Sequence, residues 1–196
     1  MPFDCWEVAL VTWKLYFQTG FKEGKDALAS GGEEMAAAMQ FYLETFDIKA
    51  LSIWELFDCN VKQASFKRKM AEWWNSTSTM ASTGRPIDGL ICPVHPSTSY
   101  PHNFPSWWGY TSLWNVLDYP STTMPIKGFR ISADTDPKRM DYKPLNNPFD
   151  RRTHEMYNPE LFASQPVCMQ IVGRPFQDEE LILVTEVIDQ VVNSDN

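Results

Sequence analysis

Absences narrow the field first. The 196 residues hold four cysteines, Cys5, Cys59, Cys92 and Cys168, and no CxxC pair. A small disulfide scaffold and a zinc ribbon both need closely paired cysteines, so neither is indicated. Cys92 and Cys168 fall in strand-like runs and are expected to be reduced, small and buried. Cations are in deficit: 17 Lys and Arg face 25 Asp and Glu, for a net charge of −8. Binding to a phosphate backbone needs clustered positive charge. The only cluster, Lys67-Arg68-Lys69, lies on a predicted helix and reads as a solvated face, so nucleic acid is not an expected partner. No apolar run reaches the roughly 20 residues that span a bilayer. The opening stretch MPFDCWEVALVTWKLYFQTG is broken by Lys14, carries Asp4 and Glu7, and has no basic leader. Neither a membrane span nor a secretory signal is expected, and a cytoplasmic location follows.

Catalytic signatures are also missing. There is no GxSxG nucleophile elbow. ASGGEE has no strand before it and no phosphate-binding lysine, so it reads as an inter-helix turn. His154-Glu155 has no second histidine four positions on, and the zinc-protease pattern fails. Asp150, Arg151 and Arg152 beside it are expected to tie down a loop. No internal repeat is present.

What is present is a core. The chain is 43% hydrophobic and 14% aromatic, enough to exclude wholesale disorder. Residues 4–19 and 33–46 have helical character; in the second, Met35, Met39, Tyr42, Leu43 and Phe46 share a face. Ser52 and Glu55 have the spacing of a capping box at the head of a helix ending near Asn75. Its apolar residues Ile53, Trp54, Phe57, Val61, Ala64 and Trp73 recur near helical spacing. IDGLICPV, from Ile87 to Val94, predicts a buried strand. A proline-rich loop then leads to a helix over 110–118 and a strand over 121–126. Residues 128–160 are charged and rich in Pro and Asn, a long loop of the kind that is functional or disordered. VCMQIVG predicts a strand, and Asp178 is expected to cap a helix with Glu179 and Glu180 in its first turn, whose Leu181, Val184, Ile188 and Val191 form one stripe. The expectation is one region of α/β class, a partial mixed sheet flanked by helices. It divides into a helical part over 1–76, a sheet-and-helix part over 85–192, and the loop over 128–160.

Cys92, His95 and His102 fall within eleven positions. A thiol–imidazole pair or a metal site needs a further orienting or ligating group, and none is evident, so packing is the favoured reading. An independent hydrolase built on Cys92 and His95 ranks last among the functions considered.

Taken together, RPIDGLICPVHP, WWGYTSLWNVLDYPSTTMPI and YNPELFASQPVCMQIVGRPFQDEELILVTEVID resemble the C-terminal part of amidase-signature enzymes, most closely the fungal acetamidase branch. LSIWELFDCNVKQASFKRKMAEWWN upstream fits the same branch. The resemblance implies amide hydrolysis by a Ser–cis-Ser–Lys triad with backbone N–H groups stabilising the oxyanion. Those three residues belong to earlier parts of the family pattern. No serine or lysine here matches them, so this chain alone is expected to be inactive. No cofactor or metal is implied. The expected substrate is a small carboxamide, provided an N-terminal amidase part completes the site. Tyr110, Trp114 and Asn115 are the candidates for pocket-facing groups; the alternative is that these aromatics pack helix against sheet. Gln170 and Gly173 are read as structural, the glycine permitting close backbone approach. A partial sheet leaves a strand edge and an apolar face open to a partner chain or to self-association. The alternative function is a standalone, non-catalytic binding or interaction module derived from an amidase.

Overall fold

Local sequence signals set where several of the helices begin. In the computed structural model, which describes residues 1–194, Asp4 caps α1 (Cys5–Tyr16) by accepting from Trp6 N at 2.8 Å. α2 (Lys22–Gly31) follows, then α3 (Ala37–Thr45) and α4 (Ile53–Ser76). The capping box forms at α4: Ser52 N donates to Glu55 Oε2 at 2.8 Å, and Glu55 N donates to Ser52 Oγ at 3.2 Å. Beyond these come β1 (Leu90–Pro93), α5 (Gly109–Leu117), β2 (Ser121–Pro125), α6 (Asp150–Met156), α7 (Pro159–Phe162), β3 (Cys168–Val172) and α8 (Asp178–Asn193).

The chain divides into two compact units. The first holds residues 1–87, 102–105 and 115–118. Its core is aromatic. Trp13 of α1 stacks on Phe46 with centroids 4.6 Å apart and on Tyr42 at 4.7 Å. α4 adds Cys59, Phe66, Met70 and Trp74, all buried. Trp74 Nε1 donates to Ile87 O at 2.8 Å, and Ile87 N donates to Thr77 Oγ1 at 3.0 Å, which ties the segment after α4 to its last turn.

Two readings of this unit change. The turn placed at Ala29–Gly32 is the end of α2: Gly32 adopts φ 66°, and Glu33 N donates to Leu28 O at 2.9 Å. α2 buries no residue, so it has no apolar stripe to reveal it. On α4, the stripe from Ile53 to Val61 does not face the core. Ile53, Trp54, Phe57 and Val61 are all exposed, and the buried row is Cys59, Phe66, Met70 and Trp74. A helix apolar on two faces satisfies the same periodicity whichever face turns inward.

Among the described residues, the second unit holds 88–101, 106–114 and 119–194. Its sheet has the order β1-β3-β2, and both pairings are antiparallel. The α/β class holds, while the sheet is antiparallel rather than mixed; strands of four and five residues carry no sign of their direction. On one face Met124, Ile171 and Leu181 form a buried cluster joined by Met169, Val184 and Ile188. Gly173 ends β3 beneath α8, and a Cβ there would lie 2.9 Å from Leu181 Cβ. The close approach of helix and strand therefore requires glycine. Val191, expected on the same stripe of α8 as Leu181, is exposed, and Asp178, expected as the cap of α8, is its first residue, with Gln177 at the cap.

The long loop is ordered, contains α6 and runs into α7. Asp150 gathers it, accepting from Tyr142 Oη at 2.8 and 2.9 Å and from Leu145 N at 2.6 Å. His154 Nε2 donates to Arg139 O at 2.7 Å, and its ring stacks on Tyr142 with centroids 4.8 Å apart. Tyr157 Oη donates to Asp136 O at 2.7 Å.

Candidate functional site

α5 carries the three residues singled out in the sequence. Its start is shaped by Gly109, where a Cβ would come within 2.1 Å of the Trp107 ring. Its end is a turn at Asp118, φ 57°, that sends the chain into β2. Tyr110 is partly exposed, and its carbonyl accepts from Gln170 Nε2 at 3.0 Å. Trp114, one turn on, is buried beside Tyr119, with centroids 6.2 Å apart. Its indole N–H has no acceptor among the described residues. Asn115 is exposed and belongs to the first unit, where its amide donates to Tyr16 Oη at 2.9 Å.

Gln170 organises the second face of the sheet. It lies on the central strand between Cys92 of β1 and Thr123 of β2. Its amide donates to Cys92 Sγ at 3.1 Å as well as to Tyr110 O, so this buried glutamine anchors helix to sheet. A polar residue inside the apolar run VCMQIVG is the sequence signal for such an anchor.

Beside this row the second unit has an open concavity of about 680 Å³. Cys92, His95, Thr98 and Thr123 line it, with Tyr157 from the long loop and Cys168 from β3. Neither Tyr110, Trp114 nor Asn115 does. Cys92 and His95 share the concavity without forming a catalytic couple: the thiol accepts from Gln170, and His95 Nδ1 lies 3.2 Å from Ser97 N and 3.1 Å from Ser97 O. His95 Nε2 and Thr98 Oγ1 are buried without partners among the described residues. Burial depresses the His95 pKa below its ordinary 6.5, against a smaller opposing effect of the Ser97 backbone. The ring is therefore neutral at pH 7. Cys92 and Cys168 are free thiols, half-buried rather than fully buried as expected. His102 lies in the first unit and is exposed. No group of three metal-ligating side chains occurs among the described residues. Thr98, Tyr157 and Asp136 on the rim were not singled out in the sequence, because they sit in irregular loops with no spacing to mark them.

The amidase family model matches residues 14–182. An amidase of Gibberella zeae is 45% identical over 195 residues, covering 99% of this chain and 36% of that protein. An acetamidase of Emericella nidulans is 26% identical over 148 residues, covering 76% of this chain and 26% of the relative. The fold is similar to that of a solved fatty acid amide hydrolase, with a TM-score of 0.82 at 22% identity, covering 96% of this chain and 32% of that one. The chain thus spans about a third of the length of the amidase it resembles over nearly its whole extent. No helix among the described residues is long and apolar enough to cross a membrane. The chain belongs to the amidase family.

Proposed function

We propose that this chain is the C-terminal part of a cytoplasmic amidase that hydrolyses a small linear carboxamide. One observation carries the reading: a family match over residues 14–182 combined with coverage of about a third of the relatives' length. The acetamidase of Emericella nidulans suggests acetamide as the first substrate to try. In this reading the nucleophilic serine, the second serine and the lysine lie in the remaining two-thirds, and the present chain alone is inactive.

Three groups on α5 are proposed to contribute to the substrate wall. Tyr110 offers a partly exposed ring on a backbone pinned by Gln170. Trp114 lies one helical turn away and brings a buried, unpartnered indole N–H. Asn115 brings a carboxamide already engaged with Tyr16.

The test uses the 196-residue chain with acetamide and, separately, with a fluorophosphonate that acylates activated serines. The expected result is no ammonia and no covalent label. Ammonia release that survives in the pure chain would overturn the reading and place a nucleophile within these residues.

A further inference from the structure

α8 is not centred over its sheet. On the face that carries the buried cluster, Ile91, Ile171 and Thr122 form one row across β1, β3 and β2, and Pro93, Met169 and Met124 form the next. Ile171 is fully buried and Met124 is 4% exposed, whereas Ile91, on the edge strand β1, is 54% exposed. Two contacts fix the rotation of the helix about its axis. Thr185 Oγ1 lies 2.8 Å from Thr122 Oγ1, on the β2 side. Val184 Cγ1 comes within 3.0 Å of where a Gly89 Cβ would stand, just before β1. Val187 and Val191 follow Val184 by three and seven residues, so they share its side of the helix, and Leu183 continues their row at four-residue spacing. Leu183, Val187 and Val191 are 61%, 61% and 75% exposed. On the β1 side, a bare apolar row of α8 therefore overhangs an edge strand with its own bare isoleucine.

The form of this step says what fills it. An edge strand presents free N–H and C=O groups, and a further strand satisfies them where a helix cannot. A strand laid beside β1 places every second side chain on the α8 face, next to Ile91 and below Val187. It also brings α8 over the middle of the sheet. The β2 edge offers no such step. The exposed residues of β2 are Ser121, Thr123 and Pro125, and Asn193 of α8 closes its end, donating to Pro125 O at 2.9 Å and accepting from Lys127 N at 2.7 Å. The relatives indicate where the added strand comes from. The Gibberella zeae amidase carries the matching sequence as 36% of its length, and the solved fatty acid amide hydrolase carries the similar fold as 32% of its chain. In each, the rest of the same polypeptide is at hand to cover the step.

We infer that the free edge of β1, roofed by Leu183, Val187 and Val191, is the seam that takes an extended strand from the leading part of an amidase polypeptide. The inference rests on the reading of this chain as the C-terminal part of an amidase, and it names the surface through which the two parts join. Main-chain pairing tolerates a change of sequence, so the leading part of a relative 45% identical to this chain serves as the probe.

The experiment is isothermal titration calorimetry of the full 196-residue chain with the leading two-thirds of the Gibberella zeae amidase, supplied as a separate polypeptide, with hydrogen exchange on the same mixture. The parent chain should bind. Ile91→Lys and Val187→Lys each put an unpaired charge into the seam and should weaken binding by about tenfold or more. Ser121→Lys, on the β2 edge, should leave binding unchanged. All three positions are exposed, and circular dichroism confirms that each variant is folded. Amides within residues 90–92 should gain protection in the mixture, and those within 121–124 should not. No binding by the parent overturns the inference, as does binding that Ile91→Lys and Val187→Lys leave unchanged, or protection that falls on β2 instead. A parent chain that self-associates, and loses this with Ile91→Lys, assigns the seam to a second copy and overturns the inference. The amidase reading fails by a different result, ammonia release from the 196-residue chain alone. Acetamide turnover by the mixture that is unchanged by Ile91→Lys keeps the amidase reading and overturns the seam.

Discussion

Replacing Gly173 with alanine should loosen the packing of α8 on the sheet. The added Cβ lies 2.9 Å from Leu181 Cβ and 3.4 Å from its Cγ and Cδ1. Carbon atoms pack best at about 3.5–4.0 Å, so the nearest contact overlaps by about 0.6 Å or more. No change of rotamer relieves it, because Leu181 Cβ is fixed to the α8 backbone; the helix itself must move. Gly173 is not in the left-handed region, so the cost is steric rather than conformational. Overpacking of this kind costs about 1–3 kcal/mol. Burial of one methyl offsets about 0.8 kcal/mol of that. The fixed Cβ–Cβ overlap puts the cost in the upper half of that range, about 2–3 kcal/mol, so a net loss of about 1–2 kcal/mol should lower Tm by about 2–8 °C for a chain of this size. Thermal unfolding followed by near-ultraviolet circular dichroism reads it, with Gly32→Ala as the contrast. Gly32 has φ 66° and nothing within 4 Å of an added Cβ, so its cost of about 1–2 kcal/mol is purely conformational and falls in the first unit. If Gly173→Ala melts within a degree of the parent, α8 does not rest on the end of β3 as described, and the packing argument fails.

Three further outcomes follow from particular contacts. Ser52→Ala removes the capping box and should cost about 1 kcal/mol, seen as a lower urea midpoint and reduced helical ellipticity. Gln170→Leu strips the partner from Tyr110 O and should cost about 1–3 kcal/mol in the same assay, while Gln170→Glu measures whether a donor is required. For His95 the folded pKa lies below 6.5, so below that pH the unfolded chain binds a proton that the native ring resists. Its contribution is complete above pH 6.5 and is lost as pH falls through the lower folded value. Urea midpoints of the parent and of His95→Asn should therefore converge as the solution is acidified; parallel curves would contradict the depressed pKa.

Signals written in adjacent residues were legible. Ser52 and Glu55 announced the start of α4, and Gly173 announced a close approach, because each depends on neighbours in sequence or on one missing Cβ. The motifs of β1, α5, β2 and β3 carried the family resemblance, which the comparisons bear out. Signals that depend on tertiary partners were not legible. The apolar row at Ile53–Val61 looked like a core stripe because periodicity reports that a face is apolar, not which way it points. α2 was hidden because Lys22, Glu23, Lys25 and Asp26 leave it no apolar face. The order within residues 128–160 rests on Asp150 reaching Tyr142 and Leu145, contacts that composition does not encode. The concavity beside Gln170 is assembled from β1, β2, β3 and two loops, so its rim has no spacing to read.

The most direct measurement of the central claim is a complementation assay. The 196-residue chain is mixed with the leading two-thirds of the Gibberella zeae amidase, supplied as a separate polypeptide, and ammonia release from acetamide is followed. The account predicts no turnover from either polypeptide alone and turnover from the mixture. Turnover by the 196-residue chain alone, or a stable complex of the two that hydrolyses no carboxamide, would contradict it.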